Sequence, residues 1–253
     1  MTPKDIRTFR DAQLKAGKAA QTANLIVKCI RIAFNRAKRL GYITANPVEA
    51  IDTLPVEKAE KSTFTVEQIE ALLKACKSED WKGAILTAYY TGARLRDVTN
   101  LRWESIDLHK KLIEFTPAKT KKKIIIPLHP QLEAFFLKLN APDQSKAFVF
   151  PSLSGKRSGG KSGLSMSFAR IMERAGIRPD VVHEGKGKGR SIHTLSFHSL
   201  RHSFNSEMAN AGISQEIRQK LTGHATTEMN KVYTHHEIKP LQQAIATLPF
   251  VRE

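Results

Sequence analysis

The chain is 253 residues long, with 41 lysines and arginines against 24 aspartates and glutamates and a formal charge of +17. That excess favours a polyanionic partner, of which nucleic acid is the commonest, and the basic residues gather around the motifs below rather than spreading as a solvated surface. The start, MTPKDIRTF, is no secretory signal, no apolar run reaches membrane-spanning length and no lipidation motif is present, so a soluble, cytoplasmic protein without membrane contact is expected.

One main domain plus a smaller piece suits this length, and 41% hydrophobic residues are ample for a core. Cys29 and Cys76 stand far apart without metal-ligand spacing and read as reduced thiols. Thr2-Pro3 with Asp5 has the pattern of a helix start, with Ile6, Phe9 and Leu14 as its apolar side. From Thr22 to Leu40 a stronger helix places Ile26, Ile30, Ala33, Phe34 and Ala37 on one stripe, flanked by Lys28, Arg31, Arg36, Lys38 and Arg39 and ended by Gly41. Asn46-Pro47 opens a further short turn or helix. So few short helices enclose little core, so residues 1–54 are read as a partial helical domain. The polar stretch 55–63, broken by Pro55, is the expected linker, and residues 64–253 the main domain.

Thr65 and Gln68 make a capping box there, and Phe64 is placed to staple on Ile69. A helix over Trp81 to Tyr90 stops at Thr91-Gly92, and the next begins near Arg94 with Val98 and Leu101 inward. The period then changes: Lys111–Thr116 and Lys123–Leu128 are β-branched runs flanking Lys119–Lys122, a hairpin. A helix from Pro130 carries Leu132, Phe135, Phe136 and Leu139; a Ser-, Gly- and Lys-rich mobile loop at Ser152–Gly163 separates it from a helix over Ser165–Ala175. Val181–Thr194, centred on GKGKGR, reads as a flexible basic loop or a loose hairpin. Helical pieces over Phe197–Ala211, Gln215–Leu221 and near Thr227–Val232 precede an amphipathic tail with Ile238, Leu241, Ala244, Ile245 and Leu248. The expected fold class is mainly α with a small antiparallel β-sheet or hairpin, behind a short helical N-terminal segment.

The chemistry is concentrated in TGARLRD (Thr91–Asp97), the basic hairpin at Lys119, and the late run of TLSFHSLRHSF, LTGH and KVYTHH. Breaking a phosphodiester with a protein nucleophile concentrates charge on two non-bridging oxygens, and planar, permanently charged guanidiniums match that geometry. Arg94 and Arg201 both fall near the start of expected helices, where backbone N–H groups also favour an anion. A lone arginine in a chain of this charge is a surface residue; these two are singled out by their neighbours. His198, one turn before Arg201 and on the same face, is suited to hydrogen-bond a phosphate oxygen or take a proton. His224, after Gly223, supplies a second donor. Tyr233 is the candidate nucleophile. A phenol with its ordinary pKa of ~10 is only about one-thousandth ionised at neutral pH, so it needs a base or a cationic pocket. Lys119 is placed to protonate the leaving alkoxide, with Lys121, Lys122 and Lys123 competing for that role or contacting phosphates. Asp97 reads as an orienting partner for Arg94 or for a helix end, Lys28, Arg31 and Arg36 as further DNA contacts, and Tyr42, Tyr89 and Tyr90 as core. No cluster has metal-ligand spacing and no nucleotide-binding glycine pattern occurs, so neither metal nor cofactor is expected.

Taken in order, TGAR, the hairpin lysine, HSLRHSF, LTGH and the tyrosine of KVYTHH resemble the catalytic domain of the tyrosine recombinases, the phage-integrase family, over Phe64 to about Phe250. Motif by motif, the family's first arginine falls on Arg94 and its lysine on Lys119, eight residues before the proline of IIIPL. The His-x-x-Arg pair falls on His198 and Arg201, the later histidine on His224 and the nucleophile on Tyr233. Asp97 stands where many members carry glutamate, a shorter reach with the same charge. The resemblance implies that Tyr233 forms a 3′-phosphotyrosyl link and releases a 5′-hydroxyl, which then attacks a partner strand's link; the ester keeps the bond energy, hence no cofactor. It also implies double-stranded DNA as partner and a homotetramer on two sites joined by a C-terminal helix, for which the stripe Ile238–Leu248 would serve unless it packs within its own chain. Thr2–Ala50 resembles the latter half of the family's helical core-binding (SAM-like) domain; the usual earlier helices are missing, so truncation at the front is expected. A site-specific recombinase or integrase of a mobile element is the first reading. A type IB topoisomerase-like nicking-closing enzyme shares the chemistry but fits the late spacing less well, and a non-catalytic DNA-binding regulator is disfavoured because all six site residues are present.

Overall fold

A computed structural model of the chain describes residues 1–56, 62–116, 123–139, 145–160, 162–183, 191–222 and 238–251. Lys119, Lys121 and Lys122, the centre of the expected linker, GKGKGR, and the segment with His224, Tyr233 and the helix expected near Thr227 all lie outside the described residues. The chain divides into two compact units, Met1–Glu60 with Pro179–Thr194, and Lys61–Arg178 with Leu195–Glu253.

In the first unit α1 (Pro3–Lys15) packs on α2 (Ala20–Arg39). Thr2 starts α1 through a capping box: its hydroxyl accepts from Asp5 N, and the Asp5 carboxylate accepts from Thr2 N at 2.7 Å. Those bonds favour the charged form and hold the Asp5 carboxyl below its usual range. A small cluster of Ile6, Val27, Val48 and Ile51, with Ile30 and Phe34 against it, forms the core. Asn46 is buried and spends its amide on Asn35 Oδ1 (2.7 Å), the Arg31 carbonyl and Val48 N. Phe9 and Tyr42 correct the sequence reading, being 44% and 79% exposed, and Ala33 is exposed as well. Two helices share one contact face, so apolar residues beyond it meet solvent. On either side of the GKGKGR stretch the described residues pair as a hairpin's strands would: β4 (Val181–His183) runs antiparallel to β5 (Ile192–His193), closed by Thr194 N donating to Asp180 O.

The second unit is built around α4 (Glu79–Thr91), which is buried on every side from Gly83 to Thr91 and therefore shows no amphipathic stripe. It follows α3 (Val66–Ala75) and packs against α5 (Leu95–Thr99), α6 (Pro130–Lys138) and α8 (Phe197–Asn210). Gly83 permits that closeness: a Cβ there would lie 2.4 Å from the Phe150 ring and 2.5 Å from the Phe135 ring. Fully buried Tyr89, Tyr90, Phe136, Phe150 and Phe204 fill the core, each worth roughly 2 kcal/mol of transfer free energy. The sheet runs β1 (Ile106–Asp107), β2 (Leu112–Phe115), β3 (Ile124–Pro127), all antiparallel, with Ile113 opposite Ile126 and Phe115 opposite Ile124. The expected hairpin is thus present, with β1 as an added third strand. Further α-helices among the described residues are α7 (Leu164–Arg174), α9 (Gln215–Thr222) and α10 (Ile238–Ala246).

The tail packs on its own chain. α10 lies against β3, and Ala244, Ile245, Leu248 and Val251 are buried in the same core as α4. Three side chains then grip the terminal backbone. His129, stacked on Tyr90 at 4.0 Å, donates from Nε2 to Leu248 O (3.1 Å), while its Nδ1 accepts from Gln131 N. Burial pushes the His129 pKa down, consistent with this neutral tautomer. The Tyr90 hydroxyl reaches Gln131 Oε1 and Pro249 O, and Gln131 Oε1 accepts from Val251 N at 2.6 Å. Among the described residues no helix is long and apolar enough to cross a membrane.

Candidate active site

The TGAR turn is shaped by its first two residues. Thr91 ends α4 with its hydroxyl donating to Thr87 O and accepting from Ala93 N. Gly92 takes a left-handed conformation (φ +63°), and a Cβ on it would sit 2.8 Å from Cδ1 of Phe204 in α8. Only glycine satisfies both demands. Gly92→Ala should therefore lose about 2–3 kcal/mol, combining left-handed backbone strain with displacement of a buried ring. Urea titration checks this, and Phe204→Leu in the same chain should recover the steric part alone. Stability equal to the parent would remove the argument.

The turn presents Arg94 just before α5, with its Nη1 4.0 Å from Asp97 Oδ2. That spacing is an electrostatic contact rather than a hydrogen bond. Burial raises the Asp97 carboxyl above its usual range, with Arg94 and then Arg201 pulling the other way. Arg201, on α8, is only 3% exposed. Its Nη1 donates to Gly92 O at 2.6 Å and its Nη2 to Thr222 O at 2.7 Å; its buried Nε has no partner among the described residues. Burial, then Arg94, push this guanidinium down to about 10, with Asp97 opposing, so it stays charged at neutral pH. Arg201 thus ties the end of α4 to the end of α9, one residue before Gly223-His224.

These groups share a pocket. Thr91, Arg94, Asp97, Arg201 and Thr222 supply its polar wall, and Ala93, Phe115, Ile124, Ile126 and Leu221 an apolar floor. Two cations against one carboxylate leave it positive, and the apolar floor strengthens any anion contact by lowering the local dielectric. His198 does not line this pocket: it is the second residue of α8, exposed, with its ring perpendicular to His202 at 4.9 Å. Lys123 is exposed at the base of β3 and pairs with Glu114 at 2.7 Å. Lys28 and Arg36 are exposed on α2, whereas Arg31 donates to Val48 O and Ile51 O of its own unit. Phe204 and Thr222 shape the site without having been assigned a role from the sequence, and Gly92 was read there only as a helix stop. Gly92 carries a signal, a glycine closing a helix; Thr222 acts through its carbonyl, which leaves none.

A family model described as the phage integrase family matches residues 62–239. The chain is 25% identical over 240 residues to a tyrosine recombinase of Thermosipho africanus, spanning 92% of this chain and 79% of that one. It is 27% identical over 243 residues to the tyrosine recombinase XerC of Thermodesulfovibrio yellowstonii, spanning 93% and 78%. In fold it is similar to the Tn1549 transposon integrase in complex with transposon right end DNA (TM-score 0.68, 18% identity, 96% and 84% covered). A lambda integrase dimer bound to a COC′ core site is similar as well (TM-score 0.64, 22% identity, 94% and 83% covered). With a family match over most of its length, relatives that are tyrosine recombinases and a mainly helical fold with a small antiparallel sheet, this chain belongs to the phage integrase family and is a tyrosine-type site-specific DNA recombinase.

Proposed function

We propose that the pocket between Arg94 and Arg201 holds the scissile phosphate of double-stranded DNA, and that Tyr233 attacks it. The observation that carries this is the convergence of Arg94, Asp97 and Arg201, from two distant stretches of chain, on one positively charged pocket whose most buried arginine has an N–H without a partner among the described residues. In the cycle we infer, His198 takes the phenol proton as the Tyr233 oxygen bonds to phosphorus. The P–O5′ bond breaks, Lys119 protonates the departing 5′-oxygen, and a 3′-phosphotyrosyl ester remains. Arg94, Arg201 and His224 face the non-bridging oxygens, where charge accumulates, and Asp97 orients Arg94. A 5′-hydroxyl from the partner strand then gives its proton to Lys119 and attacks phosphorus, expelling the tyrosine oxygen, which recovers its proton from His198, so the ester's bond energy is kept throughout. Lys28, Arg36 and Lys121–Lys123 contact the duplex, with residues 1–54 acting as a partial core-binding domain.

Assembly as a homotetramer on paired sites belongs to the same reading, supported by the lambda integrase tetramer bound to a Holliday junction, which is similar in fold (TM-score 0.62). Ala244 and Ile245 of α10 are turned into their own core, so such an interface would use the rest of that helix. The test is to map the attachment point. A library of nicked duplexes with randomised arms is incubated with the protein, adducts are trapped in detergent, and the peptide left on DNA after proteolysis is sequenced by mass spectrometry. The peptide containing Tyr233 is expected; a different peptide would move the nucleophile.

A further inference from the structure

Asp97 and Phe115 also form part of the wall of a larger open cleft, of about 410 Å³, beside the candidate phosphate pocket. Arg96, Asn100, Arg102 and Ser105 line one side of it, Glu114 and Thr116 the other. Its carboxylates are engaged: Glu114 pairs with Lys123, and Asp97 faces Arg94. Arg102 lies over the Phe148 ring at 4.2 Å and donates to the Lys146 carbonyl. Arg96 is different. It is exposed, and among the described residues its side chain has no ion-pair or hydrogen-bond partner.

Asn100 connects this cleft to a second group of cations. It sits one turn after Arg96 on the same face of the chain, and its Nδ2 donates to Arg96 O at 2.8 Å. Its Oδ1 accepts from Gly155 N at 3.1 Å and so pins the loop that carries Lys156 and Arg157. The far side of that loop is held by Leu164 N donating to Arg157 O and Ser165 N to Ser158 O, both 2.9 Å. Lys156 and Arg157 are therefore held by their backbone, exposed, and without a side-chain partner among the described residues. Such an arrangement suits an extended polyanion better than scattered surface charge, because backbone ties fix the loop before any ligand arrives.

We propose that this cleft and loop are a track for the DNA phosphates that flank the one being broken. Arg96 takes the nearest and Lys156 and Arg157 the following ones, while Asn100 is a positioning residue that keeps the loop in line. The proposal rests on the recombinase reading only for the identity of the phosphate held between Arg94 and Arg201.

Each phosphate neutralised contributes about 0.9 to the slope of log affinity against log salt. The probe is a fluorescent duplex of roughly 20 base pairs and arbitrary sequence, followed by anisotropy from about 50 to 200 mM salt. Arg96→Gln should lower the slope by about 0.9 and Lys156→Gln with Arg157→Gln by about 1.8, while Arg96→Lys should keep it. Asn100→Ala, which alters no charge, should also lower the slope, an effect that mere loss of a cation cannot produce. Lys77→Gln, an exposed lysine between α3 and α4, is the control and should change it least. Slopes for Arg96→Gln and the double variant equal to that control would overturn the track, and a parental slope for Asn100→Ala would overturn the positioning role. Adducts from the nicked library with unchanged slopes would sink the track and leave the recombinase chemistry standing. Reduced slopes without any adduct would do the reverse, and absence of duplex binding at low salt would overturn both.

Discussion

Arg201→Ala should abolish detectable strand cleavage and cost the second unit about 3 kcal/mol of stability. Its guanidinium donates two charge-assisted bonds, of 2.6 and 2.7 Å, to the carbonyls of Gly92 and Thr222. Truncation leaves both acceptors and a cavity behind, and bonds of this class are worth ~1.5–3 kcal/mol each in place. Relief of the cost of keeping a charge dehydrated offsets part of that loss. Cleavage suffers twice. Removing one preorganised donor from developing charge typically costs ~10²–10³ in rate. The chain on either side, with Arg94 two residues after Gly92 and His224 two residues after Thr222, also loses its anchor. Arg201→Lys separates the effects: a single ammonium keeps the charge but cannot bridge both carbonyls, so it should recover some stability and little activity. Urea titration and adduct yield on the nicked library measure the two halves. A truncated variant within ~0.5 kcal/mol of the parent would show that the bridge does not hold the unit together.

Tyr233→Phe should leave duplex affinity unchanged and yield no covalent adduct. The substitution deletes a single oxygen from the side chain and keeps the rest of the ring. It therefore removes the proposed nucleophile and leaves untouched the lysines and arginines whose charge governs binding. Anisotropy and a denaturing gel on one sample make the comparison. An undiminished adduct would reassign the attack, and a large drop in affinity would mean that the phenol serves binding instead. The contrast with Arg201→Ala is informative in itself, since that variant should lose stability and chemistry together.

The parts of the site that could be read beforehand were those stated by residue type. Arg94 and Arg201 stand out by their neighbours and their places near helix starts, and both line one pocket. What spacing does not record is that Arg201 reaches carbonyls 109 and 21 positions away, because a carbonyl acceptor looks the same at every residue. The Tyr90 contact with Pro249 spans 159 positions and was hidden for the same reason. Helices with one apolar face, such as α7, were legible, and α4 was found by its length and its glycine stop rather than by a stripe. β1, two residues long, is too short for any period to register. Phe9 and Tyr42 were misread because a pattern of apolar residues says which face is available for burial, not whether a partner exists to cover it.

The grip of Tyr90, His129 and Gln131 on Leu248–Val251 sets a leash on Tyr233, the proposed nucleophile. Tyr233 precedes Ile238, the first residue of α10, by only five positions. A chain extends by at most ~3.5 Å per residue, so while α10 stays docked the Tyr233 backbone cannot stray more than roughly 18 Å from that point. A phosphate that Tyr233 is to attack must then lie within this radius plus the reach of the phenol side chain itself, or α10 must first let go.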